Sequence, residues 1–485
     1  MHNTRQIVFA TVPYTDTQAP LMAPAILKSI ASKARYTSAT VDLNIKVVRL
    51  LRTSEFKNQL INFFHDGRST VEIEQELFEL FQDFAKSLLA YQPEIIGLSL
   101  FTYNCQIAAK YLCFTIKKLS PQTKIVLGGA GLTNNLIGKS KFAEALLKHK
   151  LINFYIRGDG ENALFDYLTS TNETVAGIND SAWKELSNDD LTQLPIPDYD
   201  DYDFDDYVFE SFKKVHESSA IPILGSRGCV RNCSFCDIHA HWTKFSWRSG
   251  EHVFAEMVEL NRKYGSRKFM FQDSLNNGNL REFRVLMKLI SDWNFANPDN
   301  TLRWSSFFIL RPSNAFTEED WKLTASGGGF NLFVGIESLN DEARFHLGKK
   351  FTNDDIEFSI QMAVKYGIKL ALLFFTGYVT ETEDDINFAV QWWKDHAKYK
   401  DNLVVNLGTP LGILPGTPLM EQFDDLGLIH TGPAPEDWAN PTTGNTPSKR
   451  VEWFQRLEST VRQLGYKQTG GSDNRFILER MMRDG

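Results

Sequence analysis

Two long stretches of this 485-residue chain alternate short apolar runs with helical patterns, and that alternation narrows the possible folds more than any other feature. In the first stretch, strands are expected at 7–10, 39–42, 94–100, 124–128 and 154–156, with helical spacing at 21–34, 69–90, 106–119 and 141–148. In the second, an apolar run at 221–224 opens a series of strands at 268–271, 303–308, 331–338, 370–376 and 403–407. Helical patterns at 253–264, 283–293, 318–326, 354–366 and 384–396 separate these strands. Strand–helix alternation predicts α/β folds with parallel sheets, because a parallel pair needs a crossover and the crossover helices cover the sheet. The first block reads as a doubly wound, Rossmann-like domain over 1–185. The second, with six strand–helix units, reads as a partial (βα)6 TIM-like barrel over 216–428. Both folds place ligands at the carboxyl ends of their strands.

Between the blocks, residues 186–215 change character. Leu194-Pro195-Ile196-Pro197 is extended, since proline restricts itself and its predecessor. Asp198, Asp200, Asp201, Asp203, Asp205 and Asp206 then interleave with Tyr199, Tyr202, Phe204 and Tyr207, which suggests a solvated connector anchored by aromatics. A calcium loop of the EF-hand type would need a central glycine and a terminal glutamate that are absent here. Residues 429–485 read as a small helical segment, with a helix over 448–464 and a short one near the end.

The second block begins with Gly228-Cys229-Val230-Arg231-Asn232-Cys233-Ser234-Phe235-Cys236, three of the chain's five cysteines in a C-x3-C-x2-C pattern. A loop this short can present three thiolates to one iron–sulfur cluster, leaving one iron of a cubane open to a cosubstrate. Cys229, Cys233, Cys236 and His239 as a zinc site is the competing reading, although zinc ligands usually come in two separated pairs. An odd cysteine cluster argues against disulfides. Cys105 and Cys113, on one expected helix, read as small buried hydrophobes. The net charge of −8 and pI near 5.8 argue against a basic nucleic-acid surface. No apolar run approaches the roughly 20 residues of a membrane span. The N-terminal residues before 7 are too few for a signal peptide, so a cytoplasmic chain with reduced thiols is expected.

The cysteine spacing, with Phe235 before the last cysteine, resembles the radical S-adenosylmethionine (SAM) family. Further motifs in the second block resemble the same pattern: Asp273 after one strand, Arg311 after the next, Val334-Gly335-Ile336-Glu337-Ser338, and Phe375-Thr376-Gly377 followed by Glu381-Thr382. Val379 stands where the family has a proline, and Pro415-Gly416-Thr417 resembles its motif after the sixth strand. The resemblance implies a 4Fe-4S cluster on Cys229, Cys233 and Cys236, and SAM held by Phe235, Asp273, Arg311, Glu337, Ser338 and Gly377. Arginine suits the SAM carboxylate, and Glu337 and Ser338 suit the ribose hydroxyls.

In the first block, Pro20, Asp42-Leu43-Asn44, Gly97-Leu98-Ser99, Gly128-Gly129 and Gly158-Asp159-Gly160-Glu161 occur in one order. That order resembles the cobalamin (B12)-binding domain fused to many radical SAM enzymes. It implies cobalamin contacts from Ser99, Gly128, Gly129, Gly158, Gly160 and Glu161. The Asp-x-His-x-x-Gly motif of other cobalamin domains, whose histidine ligates cobalt, is absent. The resemblance therefore implies a cobalamin-dependent radical SAM enzyme, foremost a methyltransferase acting on an unactivated carbon, with an electron donor such as flavodoxin or ferredoxin. A radical cyclase or rearranging enzyme, and a non-catalytic cobalamin or metal sensor, remain open at this point. A methylthiotransferase would need three further N-terminal cysteines, and only Cys105 and Cys113 are there.

Overall fold

The computed structural model describes residues 5–15, 19–133, 141–170, 175–180, 184–207 and 220–469. The chain forms two compact units, Met1–Pro222 and Ile223–Gly485.

The first unit is built on five parallel strands: β1 (Ile7–Thr11), β2 (Ser38–Asp42), β3 (Ile95–Ser99), β4 (Lys124–Gly128) and β5 (Phe154–Ile156). Their order in the sheet is β2-β1-β3-β4-β5, so the winding reverses between β1 and β3. That is the doubly wound arrangement expected, with its ligand crevice at the reversal. Strand β1 is buried along its whole length because helices lie on both faces, as its unbroken apolar sequence requires. Two helices, Leu43–Thr53 and Lys57–Asp66, fill a stretch with no expected element. The first starts where Asp42 caps it, its carboxylate accepting from the Ile45 N–H at 3.1 Å. Cys105 and Cys113 are fully buried core residues, as expected.

The described part of the acidic and aromatic stretch packs on this unit. Asp198 and Asp201 both engage Lys28, at 3.2 and 2.7 Å. Asp201 also accepts from the Thr40 N–H at 2.8 Å, so it anchors the stretch to β2. Tyr199 and Tyr207 are buried, and the Tyr207 hydroxyl donates to Asp42. Residues 208–215 lie outside the described residues.

The second unit holds a seven-stranded sheet, in the spatial order Lys467–Gln468, Leu403–Pro410, Lys369–Thr376, Gly329–Glu337, Arg303–Phe308, Lys268–Phe271 and Ile221–Ile223. Six of these form the expected series: β6 (Ile221–Ile223), β9 (Lys268–Phe271), β10 (Arg303–Phe308), β11 (Gly329–Glu337), β12 (Lys369–Thr376) and β13 (Leu403–Pro410). Alternation is clear on β10, where Trp304 and Phe308 pack against helix residues Phe283 and Trp321. The segment after 429 contributes the expected helix, Pro447–Gln463, and also β16 (Lys467–Gln468), which pairs with β13. The short helix expected near the end lies outside the described residues.

Candidate active site

The three cysteines occupy an excursion between two short strands, β7 (Ser226–Arg227) and β8 (Ser246–Trp247), which pair antiparallel at its neck. Arg248 locks this neck: its N–H donates to the Gly225 carbonyl, and its guanidinium to the Leu224 carbonyl at 2.9 Å and Glu256 at 2.8 Å. Gly228 has φ +75°, and a Cβ there would sit 2.5 Å from the Lys244 carbonyl oxygen, so glycine is required where the loop turns. The far side of the loop is fastened by two backbone bonds. The Ser234 N–H donates to Leu347 at 3.0 Å, and the Leu419 N–H donates to Ser234 at 2.8 Å. Thr417 caps the short helix Pro418–Glu421 that carries Leu419, which gives the Pro-Gly-Thr stretch a physical job.

Cys233 is buried, and Cys229 and Cys236 are half-buried. Burial pushes all three free thiols up, Cys236 to about 12; a neighbouring thiolate adds to the rise at Cys233, and Asp237 followed by the neighbouring thiolates at Cys236. Three thiolates can coexist here only with positive charge among them. Among the described residues, no three His, Cys, Asp or Glu groups converge on one metal ion. A mononuclear Cys3His site needs such convergence, and His239 instead spends its Nε2 on the Arg231 carbonyl, 2.6 Å away. Three thiolates supplied by one short loop are a donor set that suits an iron–sulfur cluster, and the residues present fit that group.

Lys349 is the residue that sequence reasoning missed. Its Nζ lies 3.0 Å from the Gly335 carbonyl oxygen and 3.1 Å from Glu337 Oε1. Burial alone would lower its pKa, but Glu337, Cys233 and Cys236 outweigh that, and the ammonium is retained. A Cβ at Gly335 would meet Glu337 Oε1 at 2.3 Å and Lys349 Nζ at 2.8 Å, so the glycine leaves room for this ion pair. Glu337 itself sits at φ +65°, after a register shift against β12. A glutamate in that conformation is strained and marks a position where surroundings dictate backbone geometry.

The other expected SAM residues fall around this pair. Phe235 meets Phe375 edge to face at 5.0 Å. Ser338 is buried and donates to Glu381 at 2.7 Å. Glu381 also accepts from the Gly377 and Tyr378 N–H groups, at 2.8 and 2.9 Å, and so ties the ends of β11 and β12 together. Gly377, at φ +83°, packs on Arg450 of the Pro447–Gln463 helix, whose Cδ would lie 2.1 Å from an added Cβ.

Asp273 is buried and accepts from Gly225 N–H at 2.8 Å and Ser226 Oγ at 2.9 Å. Its carboxylate is therefore engaged in fixing the cysteine-loop neck. Arg311 donates to the Asn277 and Gly278 carbonyls, at 2.9 and 3.0 Å, and its Nε is buried with no partner. Burial and then the neighbouring Arg231 and Arg284 lower its pKa, which leaves the guanidinium suited to an anion.

In the first unit, Ser99 ends β3, Gly128 and Gly129 end β4, and Gly158, Gly160 and Glu161 follow β5. The candidate cobalamin residues thus gather at the carboxyl ends of three adjacent strands. Gly129 and Gly158 are needed by the chain's own packing: an added Cβ would meet Leu100 O at 2.3 Å and Lys184 O at 2.2 Å. At Gly128 and Gly160 an added Cβ would only make ordinary contact with Ile156, at 4.0 and 3.5 Å. Glycines at strand carboxyl ends let a ligand approach the backbone closely, which suits a large flat cofactor.

Comparison with known proteins agrees with this geometry. Residues 223–392 match the radical SAM superfamily. An uncharacterised methyltransferase of Pyrococcus horikoshii is 26% identical over 397 residues, 75% of each chain. Among solved structures, the radical SAM methyltransferase TsrM from Kitasatospora setae, with tryptophan substrate and a SAM analogue bound, superposes with a TM-score of 0.61 at 17% identity, covering 99% of this chain and 98% of TsrM. The cobalamin-dependent SAM radical enzyme OxsB, with aqua-cobalamin bound, gives 0.64 at 14% identity, covering 99% of this chain and 71% of OxsB. At such identities the two structures establish the shared fold. Residues 223–392 thus carry a radical SAM domain, and the chain as a whole shares the fold of these two structures.

Proposed function

We propose that this enzyme is a cobalamin-dependent radical SAM methyltransferase, and the observation that carries the reading is the cysteine loop held beside the Lys349–Glu337 pair. When bound, the cluster supplies the electron that cleaves SAM, and the corrinoid supplies the methyl group. Cys229, Cys233 and Cys236 would hold three irons. Lys349 offsets thiolate charge at the loop. Arg311, with its unpartnered Nε, takes the SAM carboxylate. Phe235 and Phe375 offer an apolar shelf for adenine. Glu337 and Ser338 receive the ribose hydroxyls, with Ser338 oriented by Glu381. Asp273 and Gly377 position the neck and the β12 turn.

The crevice at Ser99, Gly128, Gly129, Gly158, Gly160 and Glu161 would hold cobalamin, without a protein histidine on cobalt from an Asp-x-His-x-x-Gly motif. The methyltransferase relative of 75% mutual coverage supports this outcome over cyclisation. The reading entails a low-potential electron donor, such as flavodoxin or ferredoxin, and a reducing cytoplasm. Among the described residues no helix is long and apolar enough to cross a membrane.

The test is pulsed electron-nuclear resonance on the reduced, cluster-loaded protein with SAM carrying 15N at its amino group. A 15N coupling to the cluster spin, weakened in Arg311→Met, is expected. A cluster without any 15N coupling would refute the SAM geometry.

A further inference from the structure

The chain after β12 makes a tight turn, and the segment beyond β13 returns to fasten it. The Glu381 N–H donates to the Tyr378 carbonyl at 2.8 Å, which closes a four-residue turn over 378–381. Neither of its central residues, Val379 and Thr380, has a positive φ, so the turn is of type I. Two carbonyls of this turn are taken by side chains from far along the chain. Asn440 Nδ2 donates to the Val379 carbonyl at 2.8 Å, and Asn445 Nδ2 donates to the Tyr378 carbonyl at 2.9 Å.

The two amides cannot be turned the other way. Asn440 Oδ1 accepts from the Thr442 N–H at 2.9 Å, and Asn445 Oδ1 accepts from the Arg450 guanidinium at 2.8 Å. Both of those groups only donate, so each asparagine NH2 must face the turn. Asn440 and Asn445 are buried. Arg450 closes the segment behind them: it donates to the Glu436 and Trp438 carbonyls, at 2.6 and 2.9 Å, and lies over the Trp438 ring at 3.8 Å. Glu381 holds the Gly377 and Tyr378 N–H groups from the other side. The Val379 N–H, by contrast, donates to no group among the described residues.

We propose that Asn440 and Asn445 are positioning residues for SAM, a clamp that holds the Gly377–Glu381 turn ready for the adenine. The inference rests on the role proposed above for Gly377 at the SAM site. The physical argument is one of chain entropy. A turn left loose would be ordered only on binding, and SAM affinity would fall by the cost of fixing its backbone. The asparagines fix it beforehand. A proline at the second position of a type I turn acts by another route to the same end, because its ring sets the φ that the turn requires. Val379 occupies that position, and its N–H makes no bond that a proline would lose. In this chain the clamp supplies the constraint that a proline at 379 would supply.

The test compares the unaltered chain, Asn440→Ala, Val379→Pro and the double variant, each loaded with cluster. SAM affinity is measured by anaerobic equilibrium dialysis, and amide exchange over 376–382 by mass spectrometry without SAM. Asn440→Ala should weaken SAM binding about tenfold and speed exchange across the turn. Iron content should hold, because the cysteine loop has its own fastenings at Leu347 and Leu419, and exchange in the helix Asn353–Tyr366 should not change. Asn440→Asp, which keeps the volume and the Thr442 bond but cannot donate when ionised, should behave as the alanine variant does. Val379→Pro should alter affinity by less than about twofold in the unaltered chain, yet restore most of the loss in Asn440→Ala. A proline effect of equal size in both backgrounds, or unchanged affinity and exchange in Asn440→Ala, would overturn the inference. SAM failing to bind the unaltered chain, with turn exchange still faster in Asn440→Ala and slowed again by the proline, would count against the proposed SAM site and support the clamp.

Discussion

Glu381 carries an unusual load for a residue that touches neither cluster nor SAM, and its replacement by glutamine has a calculable consequence. Its carboxylate is fully buried and accepts three hydrogen bonds, from Ser338 Oγ and from the Gly377 and Tyr378 N–H groups. Burial dominates, and the pKa rises from 4.5 to about 7 in spite of those bonds. At about 1.4 kcal/mol per pH unit, that rise corresponds to roughly 3 kcal/mol. Because the folded pKa lies above the unfolded one, the folded state binds the proton more tightly between them. Glu381's contribution to stability is therefore greatest below pH 4.5 and is lost as the pH climbs through about 7. Glu381→Gln keeps the acceptor for the two backbone N–H groups and removes the titration; Ser338 can turn to accept from the amide. The assay is infrared difference spectroscopy of the enzyme minus Glu381→Gln across pH 5 to 9. A protonated-carboxyl band should be present at pH 5 and disappear with a midpoint near 7. Absence of that band at pH 5 would refute the reasoning, since it would mean that hydrogen bonding outweighs burial.

Other substitutions test other parts of the structure. Gly335→Ala should displace the Lys349–Glu337 pair, because the new Cβ would meet both partners below 3.0 Å; SAM affinity should fall while cluster iron, assayed chemically, is retained. Gly377→Ala combines a φ of +83° with overlap on Arg450, and about 2–4 kcal/mol of destabilisation is expected, read as a lowered thermal midpoint. Tyr207→Phe leaves the buried Asp42 carboxylate without its phenol donor and should cost about 1–3 kcal/mol, measured by hydrogen exchange in β2. Cys233→Ala should abolish the iron–sulfur absorption while leaving cobalamin retention unchanged.

Much of this architecture was legible in the sequence because it depends on local patterns. The central strands are continuous apolar runs, and the cysteine loop and the Gly335–Ser338 stretch are contiguous in the chain. The helices Leu43–Thr53 and Lys57–Asp66 escaped notice although Leu43, Val47 and Leu51 have helical spacing and Asp42 is a good cap. Strand β16 has two exposed polar residues, Lys467 and Gln468, and is defined only by backbone pairing with β13, which leaves no side-chain signature. Lys349 escaped because its importance comes from tertiary proximity to Cys233 and Glu337, and the run Gly348-Lys349-Lys350 reads as an ordinary surface turn. Asp273 shows the same limit from the other side. The motif locates it at a strand end, but only the structure reveals that its carboxylate is engaged with Gly225 and Ser226.

The most direct test of the account is a product assay on the anaerobically reconstituted enzyme, loaded with iron, sulfide and hydroxocobalamin, desalted, and supplied with SAM and a reductant. Retained cobalamin, with both 5′-deoxyadenosine and S-adenosylhomocysteine formed and both lost in Cys233→Ala, is the predicted result. An intact cluster with no cobalamin retained and neither product formed would contradict it.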